Sequence, residues 1–130
     1  MPTTISVKTS SRMEMVDITA ELQKELSKTE KKDGLCVAYV PHTTAGITIN
    51  EGADPAVCQD ILAKLKELVP PGVDYLHLEG NADSHIKASL IGSSVSVVVE
   101  KGRLVLGTWQ KIFFCEFDGP RSRRVYLQMI

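Results

Sequence analysis

The apolar positions of this chain repeat with two periods, and the switch between them marks out its elements. Residues 3–8 alternate Ile5 and Val7 with polar neighbours, which predicts a strand. A second short strand is predicted over Arg12–Val16. Asp17 then stands where a helix N-cap belongs, ahead of Ile18, Leu22 and Leu26 at four-residue spacing, so a helix is expected over about 18–28. The charged run Thr29–Asp33 and Gly34 end it. Residues 35–40 are apolar throughout and predict a buried strand. A turn over Pro41–Gly46 leads to the alternating Ile47-Thr48-Ile49-Asn50.

Asp54-Pro55 is a helix start, an N-cap with proline at the first helical position. Cys58, Ile61, Leu62, Leu65 and Leu68 continue as one stripe until Pro70-Pro71-Gly72. Asp83 or Ser84 is expected to cap a third helix running to Ile91, closed by Gly92. From there the period is two: Val95–Glu100, Arg103–Leu106, Lys111–Phe117 and Arg123–Met129 read as strands, with a tight hairpin at Lys101-Gly102 and a turn at Gly119-Pro120. Strands dominate, the helices are few, and no regular βαβ alternation appears. The pattern predicts one α+β domain over residues 1–130.

Composition supports a compact domain, with 43% apolar and 24% charged residues in 130. No apolar run approaches the roughly 20 residues of a membrane-spanning helix. The first residues show no basic segment followed by an apolar stretch, so the expected compartment is the cytoplasm. Cys36, Cys58 and Cys115 are odd in number, widely spaced and set among apolar neighbours, which predicts buried free thiols. Net charge is −1, but residues 1–100 carry 9 basic and 14 acidic groups while 101–130 carry 6 and 2. That basic end suits a phosphate or carboxylate ligand. With 5% aromatic residues it lacks the clustered basic face and stacking platform of a nucleic-acid binder.

Chemistry concentrates in the middle. All three histidines, His42, His77 and His85, fall within 44 residues, each beside small polar groups. Three neutral imidazoles suit a zinc site with an open position, although the spacing matches no local zinc signature. Glu51 follows Asn50 at a strand end, where no capping role explains it, and could act as a base or ligand. Asp54 and Asp83 are more simply helix caps. Lys87 is placed in the first turn of the third helix, where an anion is favoured. Arg121 and Arg123 share one side of the last strand and Arg124 takes the other, as a phosphate site or as a solvated basic edge. Trp109, the single tryptophan, sits at a bend as either a core plug or a stacking wall.

Taken in order, several blocks resemble the YjbQ family, the secondary thiamine-phosphate synthase enzyme family. The residues that carry the likeness are His42-Thr-Thr-Ala-Gly-Ile-Thr-Ile-Asn-Glu51, Asp54-Pro55, Tyr75-x-His77 and Gly80-Asn-Ala-Asp-Ser-His-Ile-Lys-Ala-Ser-Leu-Ile-Gly92. Lys101-Gly102-Arg103, Gly107-Thr-Trp-Gln110 and Gly119-Pro-Arg-Ser-Arg-Arg124 complete it. The resemblance implies a β-sandwich of two sheets with two to three flanking helices, assembled as a homotrimer with sites near the subunit interfaces. It also implies thiamine-phosphate synthase activity, as a secondary role.

On that reading a hydroxymethylpyrimidine diphosphate is joined to a thiazole phosphate and pyrophosphate is released. His42, Glu51, Asp83 and His85 are the catalytic candidates. Thr43, Asn50, Asn81, Lys87, Trp109, Gln110, Arg121 and Arg123 are the candidate substrate contacts, and His42, His77 and His85 could hold a divalent ion, zinc or magnesium. No residue looks like an activated nucleophile. A metal-dependent hydrolase of a small phosphorylated metabolite and a non-catalytic trimeric metabolite-binding protein are the alternative readings.

Overall fold

The computed structural model describes residues 2–72 and 74–130. Its elements are β1 (Thr3–Lys8), β2 (Glu14–Asp17), α1 (Thr19–Leu26), β3 (Gly34–Tyr39), β4 (Ala45–Glu51) and α2 (Pro55–Leu68). They continue with α3 (Ala82–Ile91), β5 (Ser94–Glu100), β6 (Arg103–Leu104), β7 (Gln110–Glu116) and β8 (Ser122–Met129). The strands form two antiparallel sheets, a five-stranded one ordered β1-β8-β3-β5-β6 and a three-stranded one ordered β2-β7-β4. The α+β sandwich expected from the sequence is the fold observed.

Alternation explains the layers. Ile5, Val7, Cys36, Ala38, Val97, Val99, Val125 and Leu127 point inward from the larger sheet and meet Ile47, Ile112 and Phe114 of the smaller one. The α1 stripe Ile18, Leu22 and Leu26 closes one side of this core. The other face of β7 carries Phe113 and Cys115, which join Phe117, Ala88 of α3 and Cys58, Leu62 and Leu65 of α2 in a second core. β7 is thus buried on both faces, which accounts for its unbroken apolar run Ile112–Cys115. Cys36 and Cys115 are buried and Cys58 is half-buried, all as free thiols.

Several boundaries differ from expectation for local reasons. Asp17 accepts the N–H of Thr19 at 3.0 Å, so it serves the helix start from one residue further out than a cap. β4 begins at Ala45 because these small residues pair with Glu116 and Cys115 and let α3 come close: Ile47 N–H donates to Gly92 O at 3.0 Å. α3 starts at Ala82, with Asn81 in the cap position, so neither Asp83 nor Ser84 caps it. The strand expected over 103–106 stops at Leu104. Lys101 and Gly102 both take positive φ (52° and 77°), the geometry of a two-residue hairpin whose twist matches its strands. No described helix is long and apolar enough to cross a membrane.

Candidate active site

One end of the sandwich opens into a crevice of 370 Å³ where four segments meet. The segment leaving β3 supplies Pro41, His42, Thr43 and Thr44; the start of α3 supplies Asn81 and His85; the β7–β8 connection supplies Asp118 and Arg121; and β8 supplies Arg123. His42 and His85 also line a second recess of 530 Å³ that continues along α3 to Ser89 and Ser93.

The floor is an ion pair that joins the two sheets. Arg123 faces inward from β8 and Glu116 from the end of β7, both buried. Arg123 Nε donates to Glu116 Oε1 at 2.9 Å, and its Nη2 donates to Thr44 Oγ1 at 2.8 Å. Thr9 adds its hydroxyl to Glu116 at 2.8 Å. Burial pushes the Glu116 carboxyl up, but the hydrogen bonds from Arg123, Thr9 and the Asp118 N–H, with the Arg123 charge, outweigh it and hold the group below the usual glutamate value. The pair fixes a guanidinium in place under the crevice.

Asp118 organises the rim. Its carboxylate accepts from Asn81 Nδ2 at 2.9 Å, Arg121 Nη2 at 3.0 Å and Arg12 Nη1 at 3.4 Å. Burial raises Asp118, and the Asn81 and Arg121 hydrogen bonds, with the charges of Arg121 and Arg12, lower it further than that. Asn81 gives an amide N–H to Asp118, while its Oδ1 is buried with no partner among the described residues. An unpaired acceptor of this kind is costly, and a ligand N–H or O–H in the crevice would satisfy it.

The histidines differ in what they can do. His42 Nε2 accepts the backbone N–H of Arg124 at 2.9 Å, so the neutral ring carries its proton on Nδ1. Burial, then the charges of Arg123 and Arg124, hold His42 below the ordinary histidine value against the opposing charge of Glu116. His85, half-buried on α3, meets the ring of His77 edge-on with centroids 5.2 Å apart. His77 Nε2 lies 3.8 Å from the Glu79 carboxylate. Among the described residues no three His, Cys, Asp or Glu side chains converge to hold a metal ion. The three-histidine set read from the sequence is therefore close in space without being a ligand set within one chain.

Other expected site residues lie elsewhere. Asn50, Glu51, Trp109 and Gln110 gather at the far end of β4 and β7, where Glu51 pairs with Gln110. Six residue steps along a strand put that end about 20 Å from Ala45. Trp109 there is 62% exposed, so it is not a core plug. Asp83 and Lys87 are wholly buried in α3, bonded to each other at 2.7 Å, and turn toward α2 instead of the crevice. Lys87 also falls beyond the first turn of α3, away from the exposed N–H groups expected to favour an anion. Arg123 is not on a solvated edge, because β8 lies between β1 and β3.

The family model for UPF0047 protein YjbQ-like matches residues 3–130. The chain belongs to the YjbQ/UPF0047 family. A UPF0047 protein of Methanocaldococcus jannaschii is 53% identical over 95% of this chain and 90% of its own, and YugU of Bacillus subtilis is 51% identical over 98% and 97%. A crystal structure of a YjbQ/UPF0047 family protein from Clostridium acetobutylicum superposes with a TM-score of 0.96 at 51% identity, covering 98% of this chain and 99% of that one. A hypothetical protein from Aeropyrum pernix gives 0.94 at 41% identity, over 100% and 98%.

In this YjbQ-like chain the sequence reading missed Thr44, Glu79, Glu116 and Asp118 as parts of the crevice. For Glu116 a signal existed: it is a lone carboxylate inside the apolar run Phe-Phe-Cys-Glu-Phe, and a charge in a buried strand needs a partner. Asp118 and Glu79 sit in connections where acidic residues are ordinary, and nothing in the sequence distinguishes them.

Proposed function

We propose that this protein is a transferase that joins hydroxymethylpyrimidine diphosphate to a thiazole phosphate, with the histidine crevice as its site. A C–N bond forms between the pyrimidine methylene carbon and the thiazole nitrogen. The C–O bond to the diphosphate breaks, and pyrophosphate leaves with its electron pair. The observation that carries the reading is the convergence of His42, His85, Asn81, Arg121 and Arg123 on one crevice. Arg121, with its side chain 53% exposed, reaches for a phosphate, and Arg123 adds fixed positive charge below. Asn81 Oδ1 accepts from an amino group such as the one on the pyrimidine. His42 donates through Nδ1–H, and His85 supplies a proton to the departing pyrophosphate. The substrate chemistry itself comes from the family resemblance.

The reading includes a homotrimer whose crevices lie near the subunit boundaries. Leu76 and Leu78 support it, because they are 99% and 95% exposed on the segment beside His77, where water is a poor neighbour for two leucines. Assembly also gives the Glu51, Trp109 and Gln110 end a route to a neighbour's crevice. Within one chain the residues do not fit a metal centre, and no step is assigned to a metal.

The test is thiamine phosphate formation from the two precursors, followed by chromatography. Turnover should fall about 100-fold or more in His85→Ala, and Arg121→Ala should raise the KM for the diphosphate. No product from the wild type, or product unaffected by both changes, overturns the reading. Pyrophosphate binding without turnover would replace it with a metabolite-binding role.

A further inference from the structure

We propose that the cavity between α2 and the buried side of α3 is a second ligand site, taking a small organic anion with a carboxylate or phosphate head and a compact apolar body. It shares none of its lining with the histidine crevice. Its volume, 340 Å³, lies at the small end of the range of about 300–1,000 Å³ seen for small-molecule sites.

Two kinds of wall define the ligand. Met13, Leu62 and Pro71 form an apolar side. Arg12, Lys66 and Lys87 bring three positive charges; Asp83 in the lining, and Asp118 through Arg12, offset two of them, which leaves the charge of Lys66 in excess. Asp83 is fully committed: one oxygen accepts from Lys87 at 2.7 Å and the other from Arg12 at 3.1 Å. Lys66 has no ion pair among the described residues.

The burial of Lys87 is the decisive feature. Its side chain is 1% exposed, and among the described residues its ammonium makes one hydrogen bond although it has three protons to donate. Apolar residues at both positions 83 and 87 would avoid the desolvation cost of a buried ion pair. Charge held here strengthens the field in a cavity whose apolar walls screen it poorly. An apolar molecule leaves Lys66 unanswered, and inorganic phosphate alone leaves the apolar wall wet. An anion with an apolar body meets both.

Benzoate and phenyl phosphate are suitable probes, with benzyl alcohol as the uncharged control, titrated against methyl-labelled protein and read by NMR. The Met13 and Leu62 methyl signals should shift with one or both anions and stay in place with the alcohol; the tighter anion identifies the head group. Lys66→Met should weaken binding about tenfold, and Ala63→Trp, on the exposed side of α2, should block it. His42→Ala should leave it unchanged, which separates this site from the proposed transferase site. Absence of any shift up to about 10 mM of either anion, equal shifts with benzyl alcohol, or wild-type binding by Lys66→Met each overturns the proposal. So does loss of binding in His42→Ala, which would put the anion in the crevice.

Discussion

His42 is held by a strand 82 residues further along the chain: its Nε2 accepts the Arg124 backbone N–H at 2.9 Å. That bond requires an unprotonated Nε2, and burial with two nearby guanidinium groups also disfavours the imidazolium. In an NMR titration His42 should therefore titrate below the ordinary histidine value of about 6.5. The unfolded chain binds this proton more readily than the native one. Stability should thus fall as pH drops from about 6.5 through the lower native value, then level off. His42→Gln should remove that part of the pH dependence. A native His42 that titrates at or above the ordinary value would show that the Arg124 contact does not hold in solution.

Glu116 and Arg123 stabilise as a pair and become a liability when separated. Glu116→Gln leaves a guanidinium buried beside an amide and should cost about 3–5 kcal/mol in urea unfolding. Adding Arg123→Met should recover much of that loss. The native carboxylate is held low, so its contribution is present above the usual glutamate value and fades as pH falls through the native one. Equal stability of Glu116→Gln and wild type at neutral pH would remove the pair from any account of the fold.

Gly46 is where β4 and α3 touch. A Cβ there would come within 2.7 Å of Gly92 O, a backbone atom that cannot swing away, and 3.2 Å of the Ile91 Cγ2 methyl. Gly46→Ala should push back the end of α3, costing about 1–3 kcal/mol and shifting the NMR signals of His85. If neither stability nor those signals change, the close approach is not needed.

Leu76→Ser with Leu78→Ser should lower the mass measured by light scattering while leaving the folded spectrum of each chain intact, since neither side chain is packed within the chain. An unchanged mass, whether monomeric or trimeric, removes these leucines from the interface.

Most elements were legible because each rests on a local regularity. The period-two runs around Val95–Glu100, Lys111–Phe117 and Arg123–Met129, the Asp54-Pro55 start and the Ile18-Leu22-Leu26 stripe lie within a residue or two of where they were expected. Asp83 and Lys87 show where such reading stops. From sequence Asp83 reads as a cap and Lys87 as an anion contact at a helix start; only the tertiary packing around α3 and the reach of Arg12 across 71 residues make them an interior ion pair. His42 and His85 were found because histidine is rare and both flank small polar residues. That the Glu51 end lies far from them follows from strand direction, which composition does not record.

The placement of β8 between β1 and β3 sets an order of events for synthesis. Thr3 pairs with Leu127, and Thr9 donates its hydroxyl to Glu116 across 107 residues. Contacts this distant close slowly. A ribosome must deliver Leu127 before Thr3 has its strand neighbour, so the first strand waits for that distant segment with its edge unpaired. Arg121 and Arg123 arrive in the same late segment. The crevice therefore forms at the moment the larger sheet closes, and a chain stalled before residue 122 would have histidines but no site.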